Sequence, residues 1–123
     1  MAEGFFNAAA GGTPWRAESA GVGAADGAPP SLLAVLEMKR RGIDIAAHKA
    51  RSISNIVPDA YEAVVALDRE VAALFHAAFP VCRALRVWSV PDPYGSSAGE
   101  YRRAADQIHE QVEELLEIIT KKE

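Results

Sequence analysis

Two short apolar runs constrain most strongly what this chain can fold into. The first, Ala63-Val64-Val65-Ala66-Leu67, ends at Asp68, and the second, within residues 84–90, ends at Pro91-Asp92. A continuous apolar run this short, closed by a polar residue, reads as a buried strand of a parallel sheet. The second run alternates Leu85, Val87 and Ser89 with Arg86, Trp88 and Val90, which also reads as a strand. Helical spacing surrounds both. Ser31 can cap a helix whose apolar residues are Leu32, Leu33, Val35, Leu36 and Met38, with Lys39-Arg40-Arg41 at its C-terminal end and Gly42 as its stop. Asp68 can cap a helix running to Phe79, which Pro80 terminates. A last helix begins near Ser97, where Tyr101, Ala104, Ala105, Ile108, Val112, Leu115, Leu116 and Ile119 recur at helical spacing. Residues 2–10 are helix-prone up to Gly11-Gly12-Thr13-Pro14, and residues 15–22 read as a further short strand. Residues 21–30 read as a loop of small residues, 46–51 as a short helical turn and 52–59 as irregular. This alternation is an α/β pattern with a parallel sheet, whose ligands sit beyond the carboxyl ends of the strands.

Length and charge narrow the function classes. A chain of 123 residues suits one domain, spanning 1–123. The net charge of −4, with no concentrated basic patch in the sequence, argues against nucleic acid or a membrane surface as partner. No apolar run approaches the roughly 20 residues that span a bilayer. Cys82 is the one cysteine, so no internal disulfide or CxxC pair can form, and a reducing cytoplasm is the simplest setting. His76 and His109 lack a second ligand at metal spacing, so neither a metal nor a cofactor is expected. No Walker loop, GxGxxG or GxSxG motif is present.

Five blocks, in order, carry a resemblance. They are Met1-Ala2-Glu3-Gly4, Ser19-Ala20-Gly21, the stretch from Gly42-Ile43-Asp44-Ile45 to His48-Lys49-Ala50-Arg51, Ala63-Val64-Val65-Ala66-Leu67-Asp68, and Pro91-Asp92-Pro93-Tyr94-Gly95. Each is common alone; together they resemble the low-molecular-weight protein-tyrosine phosphatases over nearly the whole chain. The resemblance implies a three-layer α/β sandwich around a short parallel sheet. It also implies hydrolysis of phosphomonoesters on phosphoproteins through a cysteinyl-phosphate. In that family a loop of the form Cys-x5-Arg-Ser/Thr precedes the block that Met1-Ala2-Glu3-Gly4 resembles. Its cysteine attacks phosphorus, and its amides and arginine hold the phosphoryl oxygens.

The 123 residues contain neither that loop nor the strand leading into it. The expectation is therefore a fold with its first strand missing, and a chain inactive as it stands. Such a chain is less stable than its relatives, or is completed by a strand from a partner or a second copy. By resemblance, Asp92 is the general acid and then base, against the plain reading of a turn aspartate. Tyr94 resembles the aromatic residue lining the substrate cleft, against a surface turn tyrosine. Ser19 and His48 match positions that brace the phosphate loop, although His48 also reads as a simple helix-end histidine. Arg51 reads as pairing with a carboxylate or as a surface residue. Cys82 fails as a substitute nucleophile, because no Arg or Ser follows it at the loop spacing; a half-buried thiol is the preferred reading. Arsenate reduction on this fold needs more cysteines than the chain has. Gly95 stands where many tyrosine phosphatases carry a second tyrosine, which looks closer to protein-arginine phosphatases. The remaining alternative is a non-catalytic pseudophosphatase or binding module.

Overall fold

The computed structural model describes residues 1–21, 27–55, 57–80, 82, 85–93 and 95–121. In chain order the elements are α1 (Ala2–Ala9), α2 (Leu32–Arg40), β1 (Val64–Ala66), α3 (Arg69–Ala78), β2 (Leu85–Val87) and α4 (Ala98–Thr120). Single 3-10 turns lie at Ile53–Asn55 and Pro58–Ala60. The chain falls into two compact units. One is made of Met1–Ser19, Pro29–Lys49 and Asp92–Glu123, the other of Ala20–Ala28 and Ala50–Pro91.

The first unit is built on α4. Tyr101, Ala104, Ala105, Ile108, Val112, Leu115 and Ile119 are buried along one face, the stripe that its helical spacing predicts. Both α1 and α2 pack against it. Phe5 of α1 stacks on His109 of α4 with ring centroids 5.0 Å apart, and the Arg41 guanidinium lies 5.7 Å from the centroid of the Phe5 ring. Ser31 ties α2 to α4. Its hydroxyl donates to Tyr101 Oη at 2.9 Å while accepting from the Ala34 N–H at 3.3 Å, the capping bond expected from the sequence. Gly42 stops α2 as expected, with a φ of 80° that favours glycine. Gly4 allows α1 a close approach to the segment after α2: a Cβ there would lie 3.0 Å from Ile45 Cγ2 and 3.3 Å from Met38 Cε.

The buried face of α2 agrees with its sequence reading at Met38 and departs from it at Leu32, Leu36 and Glu37. Ala34, Glu37 and Met38 are buried, whereas Leu32 is 71% and Leu36 51% exposed. A charged network explains why a glutamate displaces leucines from the inner face. Glu37 Oε2 accepts from Arg40 Nη2 at 2.7 Å and from Arg41 Nε at 2.8 Å, and Arg41 Nη2 continues to Asp106 Oδ1 of α4 at 2.7 Å. A buried carboxylate is tolerated only when its charge is matched in this way. Burial pushes the Glu37 carboxyl up, but the hydrogen bonds from Arg41 and Arg40 outweigh it and hold the group below the ordinary glutamate range. A depressed carboxyl contributes stability that is full above its unfolded pKa, about 4.3, and is lost as pH falls through the folded value. Glu37→Gln is therefore expected to be less stable than the parent chain at pH 7. That gap should narrow as pH drops below about 4, the ordinary range. Urea unfolding at a series of pH values checks this; a pH-independent gap would remove the Glu37 charge from the account.

The second unit holds a two-stranded parallel sheet with register Val64↔Leu85, Val65↔Arg86 and Ala66↔Val87. The pairing continues past the strands, with Trp88 N–H donating to Ala66 O at 2.8 Å and Val90 N–H to Leu67 O at 2.9 Å. Asp68 caps α3 as expected, its Oδ1 accepting from Val71 N–H at 2.7 Å. The buried residues here include Ala66, Ala72, Phe75, Trp88 and Val90. Both strands are shorter than their apolar runs. Val64 and Val65 are half-buried instead of enclosed, since the described neighbours of β1 are β2 and α3. Gly21 forms an isolated parallel bridge with Ser52, and that bridge is all the ladder that the predicted strand at 15–22 contributes among the described residues.

Candidate active site

Side chains on α1 hold the backbone at Ala17 and Ser19. Glu3 and Asn7 stand one helical turn apart on the same face. Asn7 Nδ2 donates to Ala17 O at 3.1 Å, and Asn7 Oδ1 accepts from Ala17 N–H at 2.8 Å. Two residues on, Ser19 N–H donates to Glu3 Oε1 at 2.7 Å. The rise of one helical turn, about 5.4 Å, is close to the span of two residues of extended chain, about 6.6 Å. Ala17 and Ser19 therefore satisfy these backbone groups on side chains of a helix.

This docking assembles a polar cluster. Glu3 Oε1 also accepts from Ser19 Oγ at 3.1 Å, Glu3 Oε2 lies 3.1 Å from His48 Nδ1, and His48 Nε2 lies 3.5 Å from Ser19 Oγ. His48 is placed by a single turn, in which its N–H donates to Ile45 O at 3.0 Å; residues 46–51 form no helix. The cluster lines an open cleft of about 530 Å³ beside the first turn of α1, together with Met1, Asn7 and Asp44. Burial lowers the Met1 α-amino group there, against the attraction of Glu3. An acidic first turn favours the helix dipole, and a carboxylate that accepts from a serine and faces a histidine holds both in fixed orientations.

The structure thus brings the sequence candidates Ser19 and His48 together, and it adds Glu3, which the sequence reading quoted in a motif without assigning it a role. The available signal was a first-turn acid one turn before a helical asparagine. Asp92 follows the extended stretch that ends at Val90, between Pro91 and Pro93, and belongs to the same unit as Ser19 and His48. Tyr94 lies outside the described residues. Cys82 is half-buried, and Trp88 stands six residues after it, where a phosphate loop has arginine. Among the described residues no group of three His, Cys, Asp or Glu could hold a metal ion, and no helix is long and apolar enough to cross a membrane.

Comparison with known proteins agrees with this architecture. A low molecular weight protein tyrosine phosphatase from T. tengcongensis is 31% identical, with a TM-score of 0.88 over 95% of this chain and 88% of that one. YfkJ from Bacillus subtilis is 26% identical, with a TM-score of 0.85 over 100% of this chain and 87% of that one. The YwlE arginine phosphatase from Geobacillus stearothermophilus shares the fold at 24% identity, with a TM-score of 0.89 over 99% and 84% of the two chains. No curated protein sequence matches. The family model described as low molecular weight phosphotyrosine protein phosphatase matches residues 1–123, and with the α/β architecture and the blocks in order, the chain belongs to that family.

Proposed function

We propose that the chain supplies the general-acid side and the loop-bracing side of a phosphomonoester hydrolase acting on phosphoproteins in a reducing, cytoplasmic setting. Asp92 protonates the leaving oxygen and then activates water. Ser19 and His48, oriented by Glu3, brace a phosphate loop at the start of α1, and Tyr94 lines the cleft. The observation that carries this reading is the Glu3–Ser19–His48 cluster beside the first turn of α1. The helix start favours an anion, and the family's loop meets that helix start. The nucleophile is not among these residues, because Cys82 lacks the loop spacing.

The expected result for the 123-residue chain is no turnover of p-nitrophenyl phosphate, unchanged in Cys82→Ser. Grafting a Cys-x5-Arg-Ser segment with its preceding strand onto Met1 is expected to confer turnover, and changing the grafted cysteine to serine to abolish it. Hydrolysis by the ungrafted chain that Cys82→Ser removes would overturn this division of labour. A folded graft without activity would favour a non-catalytic module.

Phosphotyrosine is the first substrate class. Phosphoarginine is the second, favoured by Gly95, whose φ of 79° suits glycine and disfavours a second aromatic residue after Tyr94. Parallel assays of the active graft on phosphotyrosine and phosphoarginine peptides separate the two.

A further inference from the structure

The chain turns back along α1 as soon as it leaves it. Gly12, with a φ of 87°, allows the turn, and Thr13 Oγ1 donates to Ala10 O at 2.7 Å while accepting from Trp15 N–H at 3.2 Å. The returning segment is then held at two points, Ala17 on Asn7 and Ser19 on Glu3, and the two attachments differ in kind. The Asn7 carboxamide gives Ala17 an acceptor at 2.8 Å and a donor at 3.1 Å, the pair of bonds that an antiparallel neighbouring strand would give. Glu3 offers Ser19 only acceptors, and a carboxylate takes an N–H from many directions. Asn7 therefore fixes where the segment lies, and Glu3 binds what is brought to it. Loop closure points to the same order. Asn7 and Ala17 are 10 positions apart, Glu3 and Ser19 are 16. Once Asn7 holds Ala17, bringing Ser19 to Glu3 orders little more of the segment. Without that bracket the whole loop must lose its freedom at once.

We propose that Asn7 is a positioning residue of the candidate site, acting through Ala17 to present Ser19 to Glu3 and His48. Extended chain alternates with a period of two, so an Ala17 backbone held against α1 turns the Ser19 N–H toward α1 as well. With the bracket open, the Ser19 hydroxyl loses its place 3.1 Å from Glu3 Oε1 and 3.5 Å from His48 Nε2, and the orientation that loop bracing needs is lost with it. The part played in catalysis rests on the phosphatase reading; the presentation of Ser19 does not.

Amide hydrogen exchange on the 123-residue chain, followed by NMR, tests the presentation without catalysis. Because one opening frees both amides, Ala17 and Ser19 are expected to show protection factors within about 3-fold of each other. Asn7→Ala is expected to speed exchange at Ser19 by about 10-fold or more, although the bonds removed are to Ala17, while Ala105, Ile108 and Val112 on α4 keep their protection. A Ser19 amide protected well above Ala17 in the parent chain, or unchanged in the folded Asn7→Ala variant, overturns the proposal, since Glu3 would then hold Ser19 without the bracket. Should the variant fail to fold, the comparison of the two amides in the parent chain decides alone. In the loop-grafted active form, Asn7→Ala is expected to lower kcat, and to add little once Ser19→Ala is present, because it acts through Ser19. Losses that multiply overturn the positioning role. An inactive graft counts against the phosphatase reading instead, and the exchange results then decide the presentation of Ser19 by themselves.

Discussion

Asp92→Asn, made in the loop-grafted and active form of the chain, is expected to lower turnover of phenyl phosphate by roughly 10²–10⁴-fold, the usual worth of a positioned general acid. The size of the loss should depend on the leaving group. Phenolate is a poor leaving group and needs the proton in the transition state. p-Nitrophenolate leaves more readily without it, so the same substitution should cost distinctly less on p-nitrophenyl phosphate. That contrast separates proton donation from a structural role, because a loop that merely shifted would slow both substrates alike. Pro91 and Pro93 limit such a shift by restricting the backbone on either side of Asp92. An equal loss on both esters, or no loss on phenyl phosphate, would take Asp92 out of its assigned role.

The largest effect on stability is expected at Met38. It is 0% exposed at the end of α2, and its Cε would lie 3.3 Å from a Cβ built on Gly4. Met38→Ala removes a side chain that only packing holds in place and leaves a cavity lined by α1 and the segment after α2. Such truncations cost about 2–5 kcal/mol, a large part of the 5–15 kcal/mol typical of a domain. Denaturant unfolding should show the loss as a lower midpoint at similar slope. A double-mutant cycle gives the sharper test. Gly4→Ala alone should destabilise, since its new methyl meets Ile45 Cγ2 at 3.0 Å and Met38 Cε at 3.3 Å. With Met38 already truncated, the same methyl enters partly vacated space, so the two losses should sum to more than the double variant shows. Strict additivity would mean that α1 and Met38 are not packed together.

These two expectations rest on unequal shares of sequence and structure. The caps at Ser31 and Asp68 were legible in the chain, because each uses a side chain within three residues of the N–H that it accepts. The buried stripe of α4 was legible for a related reason: helical periodicity repeats over 23 residues and survives local noise. Motifs in family order named Ser19, His48 and Asp92 as candidates, and the structure brings the first two within 3.5 Å of each other. The face of α2 was legible only at Met38. Leu32 and Leu36 read as core, yet Glu37 lies inside, bound through Arg41 to Asp106 on α4, 65 positions beyond Arg41. Glu3 was missed on similar grounds: its partners lie 16 and 45 positions along the chain, and nothing local to α1 announces them.

Sequence alone therefore determined the helices α1 to α4 and the strands β1 and β2, where helices start, and which residue types are at hand for phosphoryl chemistry, since these depend on interactions within a turn or two of the chain. Tertiary structure alone decided that Ala17 and Ser19 hydrogen-bond to side chains of α1, that a carboxylate on α1 orients Ser19 and His48, and that a buried glutamate gathers arginines from two helices. Each depends on groups far apart in the chain competing for the same hydrogen bonds, and that competition is settled only when the chain is packed.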